Sequence, residues 1–169
     1  MALELYFNKI EVLIEMKRYD MNTTYINNSS LKQNDESILI VEDDKYMNET
    51  MQELLEDEGY KVDASSDVIS AVNKIKYSDK RYKLLILDYN LQFLSRVNGL
   101  DIFELAKQKY PGIMAILISA YTDRRLIEKA RQAGVAVFIG KPFRISDFIN
   151  AVAQVSRLSR NGGVFISLN

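Results

Sequence analysis

The chain reads Ile38-Leu39-Ile40-Val41-Glu42-Asp43-Asp44, an uninterrupted apolar run that ends in three carboxylates. A second run, Leu84-Leu85-Ile86-Leu87, ends in the single carboxylate of Asp88. Each run is too short for a helix and lacks the polar alternation of a strand with one face in water, so both are typical of strands buried on both faces. We therefore predict two buried strands with acidic side chains at their carboxyl ends.

Two further apolar runs end in polar groups of a different kind. Ile116-Leu117-Ile118 leads into Ser119, and residues 135–140 lead into Lys141, which Pro142 follows. The carboxyl ends of the strands in an open parallel sheet share one edge, and ligands bind at that edge. The sequence therefore predicts one pocket that holds several carboxylates, a hydroxyl and an ammonium group.

Helical patterns separate the strands along the chain. Apolar side chains recur at helical spacing between successive strands, and Gly59 and Gly134 stand where two of the helices should end. We predict an α/β fold with a doubly wound, five-stranded parallel sheet, right-handed crossovers and an extra N-terminal helix. The predicted strands are 37–41, 61–64, 82–87, 113–118 and 135–139, and the predicted helices are 45–58, 67–78, 98–110, 123–133 and 146–159.

The residues before the first strand form a separate region. Residues 3–19 carry apolar side chains near one face and charges around the rest, which predicts an amphipathic helix. Such a helix docks on the main domain, pairs with a second copy in a homodimer or binds a third protein, and the pattern leaves these alternatives open. The apolar stripe consists of Leu3, Phe7, Ile10 and Ile14.

We predict three regions on this basis. Residues 1–36 comprise the N-terminal helix and a polar linker, residues 37–158 the α/β domain, and residues 159–169 a tail. Within the tail, residues 164–168 are apolar except for Ser167, and they are either a sixth short strand or the start of an element that this chain does not contain.

Composition excludes several classes of chemistry. The 169 residues include no cysteine and no histidine, so disulfides, thiolate catalysis, Ser-His-Asp triads and imidazole metal ligands are excluded. The formal net charge of −1 gives no long-range attraction to nucleic acid or to anionic lipid. Because no apolar run reaches the ~18 residues of a membrane span and the N-terminus does not resemble a signal peptide, we expect a cytoplasmic protein that does not contact membranes.

The acidic residues have an ordinary interpretation and a functional one. Glu42, Asp43 and Asp44 taken alone are typical of a solvated loop with an N-cap for the next helix. A carboxylate such as Asp88, at the end of the central buried strand, is costly unless it is paired or bound to a metal. Converging carboxylates repel one another, and oxygen-only ligands favour Mg²⁺. The pattern therefore favours a magnesium site.

Asp88 is also a candidate nucleophile for phosphoryl transfer. A carboxylate acts as a nucleophile when it forms an acyl phosphate, and this transfer needs charge neutralisation more than elaborate covalent chemistry. Mg²⁺ and Lys141 would supply the neutralising charge, and Ser119 would hydrogen-bond a phosphoryl oxygen. Taken singly, Ser119 is an ordinary strand-end serine and Lys141 an ordinary surface lysine.

At these residues the sequence resembles the response-regulator receiver domain of two-component signalling. The resemblance covers about residues 37–158, and its strength lies in the order of four motifs. Residues 38–44 resemble the first strand with its acidic pair, and Leu85-Ile86-Leu87-Asp88 resembles the phosphoacceptor strand. Ile118-Ser119-Ala120-Tyr121 resembles the segment of the switch hydroxyl, and residues 138–143 resemble the final Lys-Pro motif.

The resemblance implies a flavodoxin-like fold of the receiver type and a role for each motif. Asp88 would be the phosphoacceptor and, with Asp43, a direct Mg²⁺ ligand. Glu42 would act on the ion through water, and Asn90 would offer its backbone carbonyl. The remaining roles fall to Lys141, which pairs with the phosphoryl group, and to Ser119 and Phe138, which form the switch.

The resemblance also implies partners. A sensor histidine kinase or a phosphotransfer protein would donate the phosphoryl group, because the chain has no histidine of its own. The output would pass to a downstream protein by contact, without direct binding of nucleic acid. Tyr121 has two interpretations of equal weight: its ring shields the acyl phosphate from water, or it is a surface aromatic at a docking face.

The chain departs from the family pattern after the phosphoacceptor. Gln92 follows Leu91 where the family usually has proline, and Gly99 lies eleven residues past Asp88. Residues 93–97 therefore make a longer loop beside the site. This loop affects the expected phosphorylation kinetics and partner docking more than the pocket itself.

Three other classes compete with a phosphorylated receiver. The first is a receiver-like adaptor or dimerisation module that is never phosphorylated. The second is an aspartate-nucleophile phosphatase, which usually has a second Asp two residues after the nucleophile, where this chain has Asn90. The third is a nucleotide-binding Rossmann domain, which the lack of glycine in residues 42–48 opposes.

Overall fold

Strands and helices alternate through the part of the chain that the structure, a computed structural model, describes. That part comprises residues 36–91, 97–157 and 165–168. The predicted N-terminal helix, its linker and most of the predicted long loop lie outside it. The elements are β1 (Glu36–Val41), α1 (Lys45–Asp57), β2 (Val62–Ser65), α2 (Val68–Tyr77), β3 (Arg81–Asp88), α3 (Gly99–Lys109), β4 (Met114–Ser119), α4 (Arg124–Ala133), β5 (Val137–Gly140), α5 (Ile145–Arg157) and β6 (Ile166–Leu168).

The sheet is parallel throughout and has the order β2-β1-β3-β4-β5-β6. Strand order therefore reverses between β1 and β3, and a crevice opens outside their carboxyl ends. The doubly wound parallel arrangement predicted from the sequence is confirmed. None of the helices in the described ranges is long and apolar enough to cross a membrane.

Within the described residues the sheet has six strands, one more than the five predicted, and the sixth lies in the tail whose conformation the sequence left open. Residues 166–168 form β6, which pairs in parallel with β5 through Val137↔Ile166, Phe138↔Ser167 and Ile139↔Leu168. A run this short carries too few residues for its periodicity to define it. Its conformation depends instead on the open edge of β5, which the sequence pattern does not reveal.

Two hydrophobic layers cover the two faces of the sheet. Successive strand residues point to opposite faces, so Leu39 and Leu85 belong to one layer and Ile40 and Ile86 to the other. The first layer packs under α2, α3 and α4, where Phe103 is buried, and the second under α1 and α5. This double burial explains why the strands are continuous apolar runs.

Side chains at the carboxyl ends of the strands cap several of the helices that follow. Asp44 caps α1 by accepting a hydrogen bond of 2.8 Å from Met47 N, and Asp123 caps α4 in the same manner. Asn98 caps α3 in a capping box with Asp101. The ordinary interpretation therefore applies to Asp44, the last of the three consecutive acidic residues.

Candidate functional site

The carboxyl edge of the sheet places the predicted site residues next to one another. Phe138 lies within β5, and each of the others ends or follows a strand. The strands are in register at this edge: Val41 lies opposite Leu87, Asp88 opposite Ile118, and Ser119 opposite Gly140. Residues that are as far apart in sequence as Glu42 and Lys141 therefore meet at one end of the molecule.

A single ammonium group joins two carboxylates in the pocket. Lys141 Nζ lies 2.8 Å from Glu42 Oε2 and 3.0 Å from Asp88 Oδ2. Both carboxylates are buried, and the side chain of Lys141 is 20% exposed. The ammonium donates a hydrogen bond to each carboxylate, and this satisfies groups that would be costly to bury alone.

Three carboxylates gather around the same point. One oxygen from each of Glu42, Asp43 and Asp88 lies within 4.8 Å of the others. Oxygens that share a Mg²⁺ ion at 2.0–2.1 Å are at most about 4.2 Å apart, so small side-chain rotations would let these carboxylates share one ion. Three negative charges face one ammonium, which leaves a surplus that a divalent cation would offset. The donor set therefore fits Mg²⁺.

The surplus charge is reflected in the pKa values of the pocket. Burial raises the pKa of Glu42 to about 7, and the charge of Asp88 raises it too, although the hydrogen bond from Lys141 opposes this. Burial alone would lower the pKa of the Lys141 ammonium, but its hydrogen bond to Glu42 and the charges of both carboxylates raise it. A further cation beside these carboxylates would lower the pKa of Glu42.

Two contacts orient the carboxylate of Asp88. Its Oδ1 accepts a hydrogen bond of 3.2 Å from Asn90 N, and its Oδ2 accepts the one from Lys141. The chain beyond Asp88 continues against β4, because Tyr89 N donates to Ile118 O at 2.8 Å. Asn90 is exposed, and its backbone N–H is the group that contacts the Asp88 carboxylate.

The predicted switch residues lie near this pocket but not in contact with its charges. Ser119 is fully buried, and its Oγ accepts a hydrogen bond of 2.9 Å from Tyr121 N. The hydrogen bonds of the Lys141 ammonium go to Glu42 and Asp88, not to this hydroxyl. Phe138 is fully buried in the layer under α4, and the side chain of Tyr121 is largely exposed.

Sequence analysis missed Asn48, a buried polar residue on α1. Its Nδ2 donates hydrogen bonds to Glu42 O at 2.7 Å and to Ser65 O at 2.9 Å. The signal was present, because Asn48 stands three residues before Met51 and seven before Leu55, on the face of α1 that packs against the sheet. An asparagine on a buried helical face needs polar partners, and the ends of two strands supply them here.

The sequence singled out Gly99 only because it lies eleven residues past Asp88, and this distance says nothing of its packing. It opens α3 directly beneath the site, and a Cβ placed there would collide with the backbone oxygen of Asp88. Leu87 and Leu117 leave no more room, each with an atom 3.1 Å from that Cβ position. Glycine is therefore required for the close approach of α3 to the end of β3, a requirement that spacing alone does not reveal.

Comparison with known proteins agrees with this geometry. A family model described as the response regulator receiver domain matches residues 38–153, a range that includes every residue of the pocket. The nitrogen assimilation regulatory protein NtrX of Azorhizobium caulinodans is 33% identical over 106 residues, which are 63% of this chain and 23% of NtrX. The transcriptional regulatory protein PdtaR of Mycobacterium tuberculosis is 32% identical over 117 residues, 68% of this chain and 54% of PdtaR.

A solved structure shows the same fold. The non-phosphorylated HemR receiver domain from Leptospira biflexa superimposes with a TM-score of 0.66 at 29% identity, covering 75% of this chain and 98% of that domain. The chain thus spans nearly all of an isolated receiver domain, but only between about a quarter and a half of NtrX and PdtaR.

Proposed function

The chain belongs to the response-regulator receiver family, and on this premise we propose that Asp88 accepts a phosphoryl group from a phosphohistidine of a partner protein. The observation that carries the proposal is the single ammonium of Lys141, which joins the carboxylates of Glu42 and Asp88 beside the half-exposed Asp43. The proposed donor is a sensor histidine kinase or a phosphotransfer protein, since the 169 residues themselves include no histidine.

Asp88 is the nucleophile in this proposal. An oxygen of its carboxylate attacks the phosphorus atom, the bond from phosphorus to the donor imidazole nitrogen breaks, and an acyl phosphate forms on Asp88. The hydrogen bond from Asn90 N to Oδ1 holds the carboxylate in place during the approach. Fixed orientation of this kind is a large part of phosphoryl-transfer catalysis.

Residues around Asp88 would hold a Mg²⁺ ion. Asp43 and Asp88 are the proposed direct ligands, together with the backbone carbonyl of Asn90, and Glu42 would contact the ion through water. When it is bound, Mg²⁺ supplies positive charge against the phosphoryl oxygens. The clustering of three carboxylate oxygens within 4.8 Å supports this ligand set.

Lys141 changes partner in the proposed reaction. Its ammonium donates to Glu42 and Asp88 before transfer, and it pairs with a phosphoryl oxygen afterwards. The negative charge of the phosphoryl group replaces the charge of the Asp88 carboxylate, which is lost when one of its oxygens bonds to phosphorus. The raised pKa of Lys141 keeps the ammonium protonated throughout the neutral pH range.

The output is a change of packing that starts at Ser119. Its hydroxyl leaves Tyr121 N and donates to a phosphoryl oxygen, and Phe138 then repacks. Because Phe138 is fully buried already, this movement is a rearrangement within the core and not an entry from solvent. The surface of α4, β5 and α5 changes with it, which shifts the population between two states and is sensed by a downstream protein.

Tyr121 keeps two proposed roles that a lifetime measurement separates. Its side chain is 59% exposed, so the ring is free either to cover the acyl phosphate or to contact a partner. Shielding predicts that the acyl phosphate of the Tyr121→Ala variant hydrolyses faster than that of the unaltered protein. An unchanged lifetime would assign the ring to a docking face.

Mass spectrometry after treatment with acetyl phosphate and Mg²⁺ tests the proposed phosphoacceptor. The unaltered protein should gain one phosphoryl group, and Asp88→Asn should gain none. Asp44→Asn is the matched control, because Asp44 is a neighbouring exposed carboxylate that caps α1 outside the acidic cluster. Its labelling should match that of the unaltered protein.

Two results would contradict the proposal. Equal labelling of the Asp88→Asn variant would move the phosphoacceptor elsewhere. If neither acetyl phosphate nor a panel of phosphorylated histidine kinases labels the unaltered protein in the presence of Mg²⁺, the chain acts as a receiver-like adaptor or dimerisation module instead.

A further inference from the structure

The side-chain amide of Asn48 donates two hydrogen bonds to backbone carbonyls beside the acidic cluster. Its side chain leaves α1 towards the sheet and donates to the carbonyl oxygens of Glu42 and Ser65, at 2.7 and 2.9 Å. These carbonyls belong to residues at the ends of two different strands, β1 and β2. The residue is 6% exposed, so water does not readily replace these bonds.

Two hydrogen bonds fix the peptide units on either side of Glu42, and the second of them comes from Asn48. The backbone N–H of Glu42 donates to Ser65 O at 3.1 Å, and its backbone carbonyl accepts from Asn48. The peptide unit that Asn48 holds is the one that leads from Glu42 to Asp43. The direction in which the chain leaves β1, and with it the location of Asp43, therefore depends on this amide.

We propose that Asn48 is a positioning residue for the cation site, acting through the backbone of the acidic turn at residues 42–44. The inference rests on the proposed function, since the cation is the one assigned there to Asp43 and Asp88. Mg²⁺ demands near-ideal octahedral geometry, so its affinity falls when a ligand is displaced. Residues that orient metal ligands without touching the ion typically change the affinity by about 10–100-fold when they are replaced.

A requirement for stability alone would not select this side chain. A buried amide must recover the cost of its desolvation, whereas a leucine on the same face of α1 would extend the apolar layer of Met51 and Leu55. The amide instead joins two strand ends at the point where the acidic turn begins. Its geometry matches the need for a fixed ligand rather than the need for a larger core.

Titration calorimetry with Mg²⁺ tests the inference. Asn48→Leu removes both donors and keeps the branching of the side chain, and Asn48→Ala leaves space for water beside the two carbonyls. In each variant the dissociation constant for Mg²⁺ should rise by about 10–100-fold. The matched control is Asn73→Leu, a replacement of an exposed asparagine on α2, and its dissociation constant should stay unchanged.

A second measurement separates positioning from a merely structural role. In the metal-free protein, backbone amide resonances of Asp43 and Asp44 should shift in both Asn48 variants and not in Asn73→Leu. A purely structural residue would lower the unfolding temperature while leaving the dissociation constant of the folded protein unchanged, and that result would overturn the inference. Failure of both variants to fold would assign Asn48 to the fold and would overturn it equally.

The unaltered protein distinguishes this failure from failure of the proposed function. If it binds Mg²⁺ and the Asn48 variants bind equally well, only the positioning role is wrong. If the unaltered protein binds no Mg²⁺, the proposed cation site itself is wrong, and the role of Asn48 falls with it.

Discussion

At the scale of single residues, Lys141 supplies a positive charge that partly balances the carboxylates of the pocket. Its ammonium is shared between Glu42 and Asp88, so it offsets part of the negative charge that a divalent cation beside it would also offset. A protein that binds Mg²⁺ here binds it against the repulsion of this ammonium. The lysine is thus expected to lower the affinity for Mg²⁺ while it assists the transfer itself.

Replacing Lys141 by methionine should separate these two effects. We expect Lys141→Met to bind Mg²⁺ about fivefold more tightly, a change that corresponds to ~1 kcal/mol for a partly exposed ion pair, and to accept phosphoryl groups more slowly. Calorimetry and acetyl phosphate labelling measure the two effects. Lys107→Met, which removes an exposed pair with Glu104, is the control and should change neither. Weaker binding of Mg²⁺ to Lys141→Met would contradict this account of the pocket.

The residue scale also shows which site residues a sequence can reveal. Glu42, Asp88 and Lys141 were predicted to meet because each stands at the end of an apolar run, and parallel strands bring such ends to one edge. Asn48 was missed because its side chain projects from a helix and hydrogen-bonds backbone carbonyls, an interaction that no strand-end pattern indicates. The partner of the Ser119 hydroxyl depends on a rotamer, which no spacing in the sequence determines.

At the scale of elements, Asp63 links β2 to the start of β3 across the strand between them. It lies on β2, and its carboxylate accepts hydrogen bonds of 2.6 Å from Lys80 Nζ and from Tyr82 Oη, at the start of β3. Because β1 lies between β2 and β3, these bonds cross over a strand. Burial alone would raise the pKa of Asp63, but the bonds from Lys80 and Tyr82 outweigh it and lower the pKa.

The lowered pKa of Asp63 predicts how the free energy of unfolding depends on pH. The depressed pKa of Asp63 stabilises the fold fully above the ordinary pKa of an unfolded aspartate, about 3.9, and the stabilisation is lost as pH falls through the lower folded value. When the pH is lowered from neutral to about 3, the free energy of unfolding should therefore fall less in Asp63→Asn than in the unaltered protein. Urea denaturation at both pH values measures the difference. Identical losses would show that Asp63 does not stabilise the folded state through its charge.

The sixth strand is an element that the sequence left undecided. Phe165 packs against one hydrophobic layer, and Ile166 and Leu168 pack against the other, so the tail covers the outer edge of β5 on both faces. Ile166 N also donates a hydrogen bond of 3.0 Å to Ala136 O. A strand of three residues holds this edge only because a partner strand is already in place.

Removal of residues 165–169 should destabilise the domain without unfolding it. We expect a loss of about 1–3 kcal/mol, because the three apolar side chains are only half buried and their burial offsets the cost of ordering the segment. Ser167→Ala is the control, since the side chain of Ser167 is exposed, and it should leave the stability unchanged. Equal urea midpoints for the truncated and unaltered proteins would show that β6 contributes nothing to stability.

The other elements follow from local rules, which explains why they were predictable. Each predicted strand and helix between residues 37 and 158 is present, with ends within about two residues of the prediction. Apolar runs predicted the strands, and Asp67, Asn98 and Asp123, where three of the helices were predicted to begin, are the N-caps of those helices. Only β6 needed the assembled sheet to be recognised.

At the scale of the whole molecule, the fold places the proposed nucleophile among charges of both signs. β1, β3 and β5 carry the acidic turn, the proposed phosphoacceptor and the lysine to one edge, while α3 closes tightly beneath it at Gly99. Phosphorylation would then change the charge at a single point of a rigid, double-layered core. In the proposed mechanism, a phosphoryl group on Asp88 is the local change that leads to a repacking of α4, β5 and α5.

Trapping of the acyl phosphate tests this claim most directly. The protein is treated with acetyl phosphate and Mg²⁺ and reduced with borohydride, which converts a phosphorylated aspartate into homoserine, and its peptides are sequenced by mass spectrometry. The account predicts homoserine at position 88, in an amount that falls sharply when Mg²⁺ is chelated. Homoserine at another aspartate, or none at any position after treatment with acetyl phosphate and Mg²⁺, would contradict it.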